Sequence, residues 1–98
     1  MPAATRVGDQ LSTGHICQAV TVIGAPNQGT VFVNNILTNV VGATTVPHAA
    51  PPVCAPHVAQ INAGSPDVFV ESIPWGRVTD STDAGQMIEG SPDVFVNG

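Results

Sequence analysis

Three times along the chain a cluster of turn residues gives way to a short apolar run. The copies are Gly29-Thr30-Val31-Phe32-Val33-Asn34, Gly64-Ser65-Pro66-Asp67-Val68-Phe69-Val70 and Gly90-Ser91-Pro92-Asp93-Val94-Phe95-Val96. The last two are identical. Each predicts a tight turn entering a strand of β-branched and aromatic residues. Thr21-Val22-Ile23 and Ile36-Leu37 predict further short strands. No helical period of useful length is present. Ala49-Ala50-Pro51-Pro52 is incompatible with a helix interior and predicts extended or turning chain.

A second motif alternates with the first. Arg6-Val7-Gly8-Asp9 returns as Arg77-Val78-Thr79-Asp80, with Val40-Val41-Gly42-Ala43 as a degraded middle copy. The chain thus reads as turn motif, variable arm and Val-Phe-Val strand, three times over. The arms run from Val7 to Val31, Val41 to Val68 and Val78 to Val94, and the third is the shortest. Units this small bury a face only by packing together. The expected fold is mainly β, a single domain over residues 1–98, with three repeats in a pseudo-threefold arrangement. Phe32, Phe69 and Phe95 share one repeat position and are expected in the core. Trp75 is expected to cover that core, with a partner-contact anchor as its other use.

Composition agrees: Gly and Pro total 19, Val, Ile and Thr total 30, and Leu occurs twice. A chain of this length buries only about 60–65% of its unfolded surface, so a metal or disulfide staple is expected. Charged residues are 9% of the chain, against about 25% in ordinary domains. There is no lysine, and the net charge is −5. A phosphate-tracking surface is excluded, and no nucleic-acid partner is expected. A surface so poor in charge is either hydrated by Thr, Asn, Ser and Gln or covered in part by a partner. Residues 1–8 lack a basic and an apolar leader segment, which predicts synthesis in the cytoplasm. No apolar run approaches the roughly 20 residues of a membrane helix.

All three histidines lie in the two longer arms. His15 is in the first; His48 and His57 are in the second, with Cys54 between them as His-x5-Cys-x2-His. Three imidazoles and a thiolate make a closed tetrahedral set for zinc, suited to a structural rather than a catalytic metal. By repeat phase His15, His48 and Gln86 fall at nearly equivalent places, and the third arm offers no ligand there. Cys54 and His57 then complete the shell, with Cys17 as a rival to Cys54. The two cysteines could instead pair, although a reducing cytoplasm favours free or metal-bound thiols. Cys54 could also be a small buried hydrophobe, or a nucleophile with His57 as base, for which no orienting group is visible. Asp67, Asp93, Asp9 and Asp80 sit at repeated turns and are expected to bond local backbone. Pairing with Arg6 and Arg77 is expected to contribute little.

The whole pattern resembles the PAAR-repeat family. Pro74-Trp75-Gly76-Arg77 followed by Val78-Thr79-Asp80 stands at the family's Pro-Ala-Ala-Arg motif. Pro2-Ala3-Ala4-Thr5-Arg6-Val7-Gly8-Asp9 is a near copy. Gly14-His15, strands ending in Val-Asn, and the terminal Gly-Ser-Pro-Asp-Val-Phe-Val-Asn-Gly are also similar. Trp75-Gly76 and Thr79 depart from the motif, and the middle copy lacks its Arg and Asp. The resemblance implies a cone whose apex holds zinc, or alternatively iron, through His15, His48, Cys54 and His57. It implies a wide base on a trimeric β-helical spike, of type VI secretion or a contractile phage tail. The base is expected at Val31, Val33, Val68, Val70, Val94 and Val96. The implied role is a non-enzymatic tip that helps pierce a target membrane, with any effector cargo bound non-covalently. A small particle-associated thiol or metal-dependent hydrolase is the alternative.

Overall fold

The computed structural model describes residues 2–50 and 53–96; Pro51, Pro52 and Asn97, named above in an expected turn and strand, lie outside them. Short strands follow from the composition: β-branched runs of two to six residues are cut off by Gly, Pro and Asn before they can lengthen. In order they are β1 Gln10–Ser12, β2 Val20–Ala25, β3 Phe32–Val33, β4 Ile36–Leu37, β5 Thr44–Thr45, β6 His48–Ala50, β7 Ala55–His57, β8 Phe69–Val70, β9 Ile73–Pro74, β10 Ser81–Thr82 and β11 Gly85–Gln86. All pairings are antiparallel, and the described residues contain no helix. One three-stranded sheet runs β1-β2-β5, and four two-stranded hairpins complete the set. The molecule measures 38 × 23 × 22 Å along its principal axes.

Local structure recurs where the sequence recurs. Hairpins β3–β4 and β8–β9 share one register, Phe32 opposite Leu37 and Phe69 opposite Pro74. Both turn on two residues with positive φ, Asn34-Asn35 and Glu71-Ser72, the backbone of a two-residue type I′ hairpin. Phe95 makes the corresponding bridge to Ala3. The serine at the head of each identical heptapeptide accepts two backbone N–H groups, Ser65 from Asp67 and Val68, and Ser91 from Asp93 and Val94. Gln28 Oε1 does the same for Thr30 and Val31.

The three turn motifs meet in a closed cycle of backbone hydrogen bonds. Thr5 N–H donates to Gly76 C=O (3.2 Å), Gly76 N–H to Asn39 C=O (2.8 Å), and Asn39 N–H to Thr5 C=O (3.1 Å). Around this buried cycle lie two small cores. One joins Leu11, Ile23, Ala43, Ile61 and Met87; the other joins Ala4, Val33 and Val96, with Val68, Val94 and Trp75 packed against it. Trp75 also donates its indole N–H to Thr38 Oγ1 at 2.6 Å.

Two expectations are corrected here. Phe32, Phe69 and Phe95 are exposed (58, 53 and 51%), while Val33, Val70 and Val96 beside them are buried. Strand alternation sends neighbours to opposite faces, and here the valine face is the one that meets the core. The arginine pairs are also stronger than surface ion pairs. Arg6 clamps Asp9 through Nε (3.0 Å) and a terminal nitrogen (3.0 Å), Arg77 clamps Asp80 likewise (3.1 and 2.9 Å), and all four side chains are largely buried. Each carboxylate also accepts its arginine's own backbone N–H. Such planar, two-point pairing is the strong form of ion pair.

Candidate metal centre

Each arm delivers its side chain by a different local device. In the second arm, β6 and β7 pair with His48 directly opposite His57, so both rings leave one face of the hairpin. Their centroids are 5.0 Å apart. In the first arm, His15 rides a loop that Thr13 closes. Thr13 N–H donates to Ala19 C=O, its Oγ1 accepts from His15 N–H (3.0 Å), and its hydroxyl donates to Gln18 C=O. In the third arm, Asp83 stands at the turn between β10 and β11 with φ of 55°, a conformation that aspartate tolerates better than most residues. The first and third arms lock together at Ser12, whose Oγ accepts Gln86 N–H (3.1 Å).

The three rings converge on that single carboxylate. His15 Nε2 lies 2.8 Å from Asp83 Oδ1, His48 Nε2 lies 2.7 Å from Oδ2, and His57 Nε2 lies 3.3 Å from Oδ1. One donor atom from each of the four residues lies within 4.8 Å of the others. His48 is enclosed and Asp83 nearly so, whereas the His57 side chain is 38% exposed. On the His57 side an open groove is lined by Thr44, Val58, Ala59, Gln60 and Asn62 together with His57 and Asp83.

The hydrogen bonding around the rings is compatible with a cation among them. His48 Nδ1 faces Val46 C=O at 3.0 Å, and a carbonyl only accepts, so Nδ1 carries the proton. That is the outer hydrogen bond that fixes the tautomer of a metal-ligating histidine. On the other side of the ring Nε2 faces Asp83 Oδ2 at 2.7 Å, where the two atoms share either a proton or a cation. His15 Nε2, though close to Asp83, is buried with no aligned hydrogen bond. Burial pushes the Asp83 carboxyl up, but hydrogen bonds with His48 and His57 and the charges of His15 and His57 outweigh it, leaving it below the ordinary carboxylate value. One carboxylate has two oxygens to share among three ring nitrogens. Three imidazole nitrogens and a carboxylate oxygen are by contrast a normal donor set for a divalent transition metal. The group can therefore hold a metal ion.

His15, His48 and His57 come together as expected. Cys54 does not join them: it is disulfide-bonded to Cys17 (S–S 2.03 Å, Cα–Cα 5.5 Å) and offers no thiolate. The same bond removes Cys17 as a rival ligand and the free-thiol expectation with it. Gln86 is exposed on β11 and outside the cluster. Asp83, three positions earlier, supplies the third arm's group. A signal for it exists. Residues 10–66 contain no Asp, Glu, Lys or Arg, and Asp83 is the only acidic residue between the repeated Asp80 and Glu89. Of the valines assigned to a base, Val33, Val70 and Val96 are buried, and Val31, Val68 and Val94 are partly so. The three phenylalanines reach solvent there, as does Ile36 opposite Val33.

No protein-family model matches the chain, and no curated protein is significantly similar to it in sequence.

Proposed function

We propose that the chain is a PAAR-like, non-enzymatic tip for a trimeric β-helical spike, held at one end by a metal. The observation that carries the reading is the exposure of Phe32, Phe69 and Phe95 at one repeat position, alongside a cluster that gathers three histidines from two arms and Asp83 from the third. Three like apolar side chains, one per repeat, suit a partner that also has three like subunits. Exposed aromatics at such a surface would anchor the contact, and the edges of the short hairpins would meet the blunt end of the β-helix. The base thus moves from the valines to the phenylalanines beside them.

His15, His48, His57 and Asp83 would hold the metal, zinc or iron(II). When bound, the ion would supply a cross-link between arms that have little core of their own; structural zinc contributes on the order of 10 kcal/mol in zinc-finger peptides. Such a staple suits a point that is driven mechanically into a membrane. With Cys54 oxidised, a thiol hydrolase lacks its nucleophile. A metal-dependent hydrolase keeps one supporting observation, the groove beside His57 and Asp83.

The test is co-sedimentation with the trimeric spike encoded nearest the gene. One chain per trimer is expected, and the Phe32→Ser/Phe69→Ser/Phe95→Ser variant should lose binding while staying folded. Binding indifferent to all three substitutions would overturn the reading.

A further inference from the structure

The disulfide joins the two segments that carry the histidines. Cys17 lies two residues after His15, and Cys54 lies three before His57, in the turn of the hairpin that pairs His57 with His48. Within the His15 loop, Thr13 holds Gln18 and Ala19 at the base. Across to the hairpin, Gln18 Oε1 accepts Ala49 N–H at 3.1 Å, on a solvent-exposed side chain. The covalent bond is thus the strong link between the His15 loop and the hairpin. It is also reachable: Cys54 is exposed, and it lines an open groove with Gln18, Pro47, His48, Ala49 and Pro56.

From this we infer that Cys17–Cys54 is a redox-modifiable site that sets the metal affinity of the His15/His48/His57/Asp83 group. The inference rests on the metal reading above and adds its control. A thiol reductant cleaves the S–S bond by attack of its thiolate on one sulfur. A second thiolate of the reductant releases the mixed disulfide. The reductant leaves as its own disulfide, having given two electrons, and two protons from solvent complete the Cys17 and Cys54 thiols. The His15 loop then gains conformational freedom that metal binding must remove again. Oxidation by a low-molecular-weight disulfide reverses the change and preorganises the site.

The experiment measures zinc affinity by competition with a chromophoric chelator, for the oxidised protein and for protein reduced with a phosphine. The phosphine takes up the oxygen of water as it yields the two thiols. Trp75 emission shows that each form is folded under the conditions compared. Reduction should weaken binding about 10- to 100-fold, the usual loss when the support of a metal ligand is removed. The Cys17→Ser/Cys54→Ser variant should show the same weakening. Bridging the reduced thiols with a short bis-alkylating reagent should restore the affinity, although neither sulfur can then be a thiolate. Unchanged affinity on reduction would overturn the inference. So would tighter binding that Cys54→Ser abolishes, because the thiolate would then be a ligand. If the oxidised form binds no zinc, the underlying metal reading falls first.

Discussion

Ser12 and Gly85 approach so closely that a Cβ on Gly85 would sit 2.0 Å from the Ser12 carbonyl oxygen. This contact presses the first arm onto the third, between the loop of His15 and the turn of Asp83. Gly14 makes the reciprocal approach, with a φ of +76° and the Ala84 carbonyl oxygen 2.5 Å from where its Cβ would be. Gly85→Ala should therefore destabilise the fold by about 2 kcal/mol or more, the range for backbone overpacking. It should also weaken metal binding, because the two arms must part. Urea denaturation and a zinc competition assay on one sample check both; wild-type affinity in a destabilised variant would separate the contact from the site.

Asp83→Asn keeps the shape of the fourth side chain and removes its charge. Zinc affinity should fall at least about tenfold. Cys54→Ser, compared with oxidised wild type, should act only through the lost disulfide. A ligand role for sulfur in place of Asp83 predicts instead that Asp83→Asn leaves the affinity unchanged.

The Arg6–Asp9 and Arg77–Asp80 clamps are largely buried and doubly bonded. Arg77→Ala should cost about 1–3 kcal/mol of unfolding free energy, because the largely buried Asp80 carboxylate loses both guanidinium contacts. Arg77→Lys should recover little, since an ammonium cannot make both contacts in plane. Chemical denaturation of the two variants and of Arg77→Ala/Asp80→Ala gives the coupling.

The Asp93 carboxyl is held below its ordinary value by hydrogen bonds with Asn34 and Ser91. Its folded pKa is depressed, so its contribution is present above the unfolded carboxylate value and lost as pH falls through the folded one. Wild type should lose stability on acidification below about pH 4, and Asn34→Ala should flatten that part of the curve. Melting temperatures between pH 2 and pH 7, recorded for the metal-free proteins, decide it.

Core and surface should separate sharply within one motif. Ile61→Ala, at a fully buried position, should cost about 2–5 kcal/mol. Phe69→Ser, on an exposed ring, should change stability by no more than about 0.5 kcal/mol.

Much of this was legible in the chain. Turn residues ahead of Val-Phe-Val announced β3 and β8, and Thr21-Val22-Ile23 fell inside β2. Repeat phase aligned His15 with His48, and the spacing around Cys54 brought in His57. What failed was the fourth group. A carboxylate in a short arm has no spacing signature, and its role depends on where β10 and β11 turn. The phenylalanines failed for a different reason. Periodicity says that Phe and Val occupy opposite faces, but not which face meets the core. Here the valines face Ala4, and the aromatic ring that covers the cluster is Trp75. Gln28 standing in for Ser65 and Ser91 was invisible, since only geometry reveals that a longer side chain reaches the same two N–H groups.

The cycle through Thr5, Gly76 and Asn39 has a consequence for biosynthesis. A residue near the amino end waits for a donor from Asn39 and an acceptor in Gly76, and Ala3 waits for Phe95. A ribosome emits the partners in order, so the early segments can form their local hairpins but not the cycle. Closure of these contacts then waits until the Phe95 segment has left the exit tunnel. Contacts of such long sequence separation also make it slow for a chain this short.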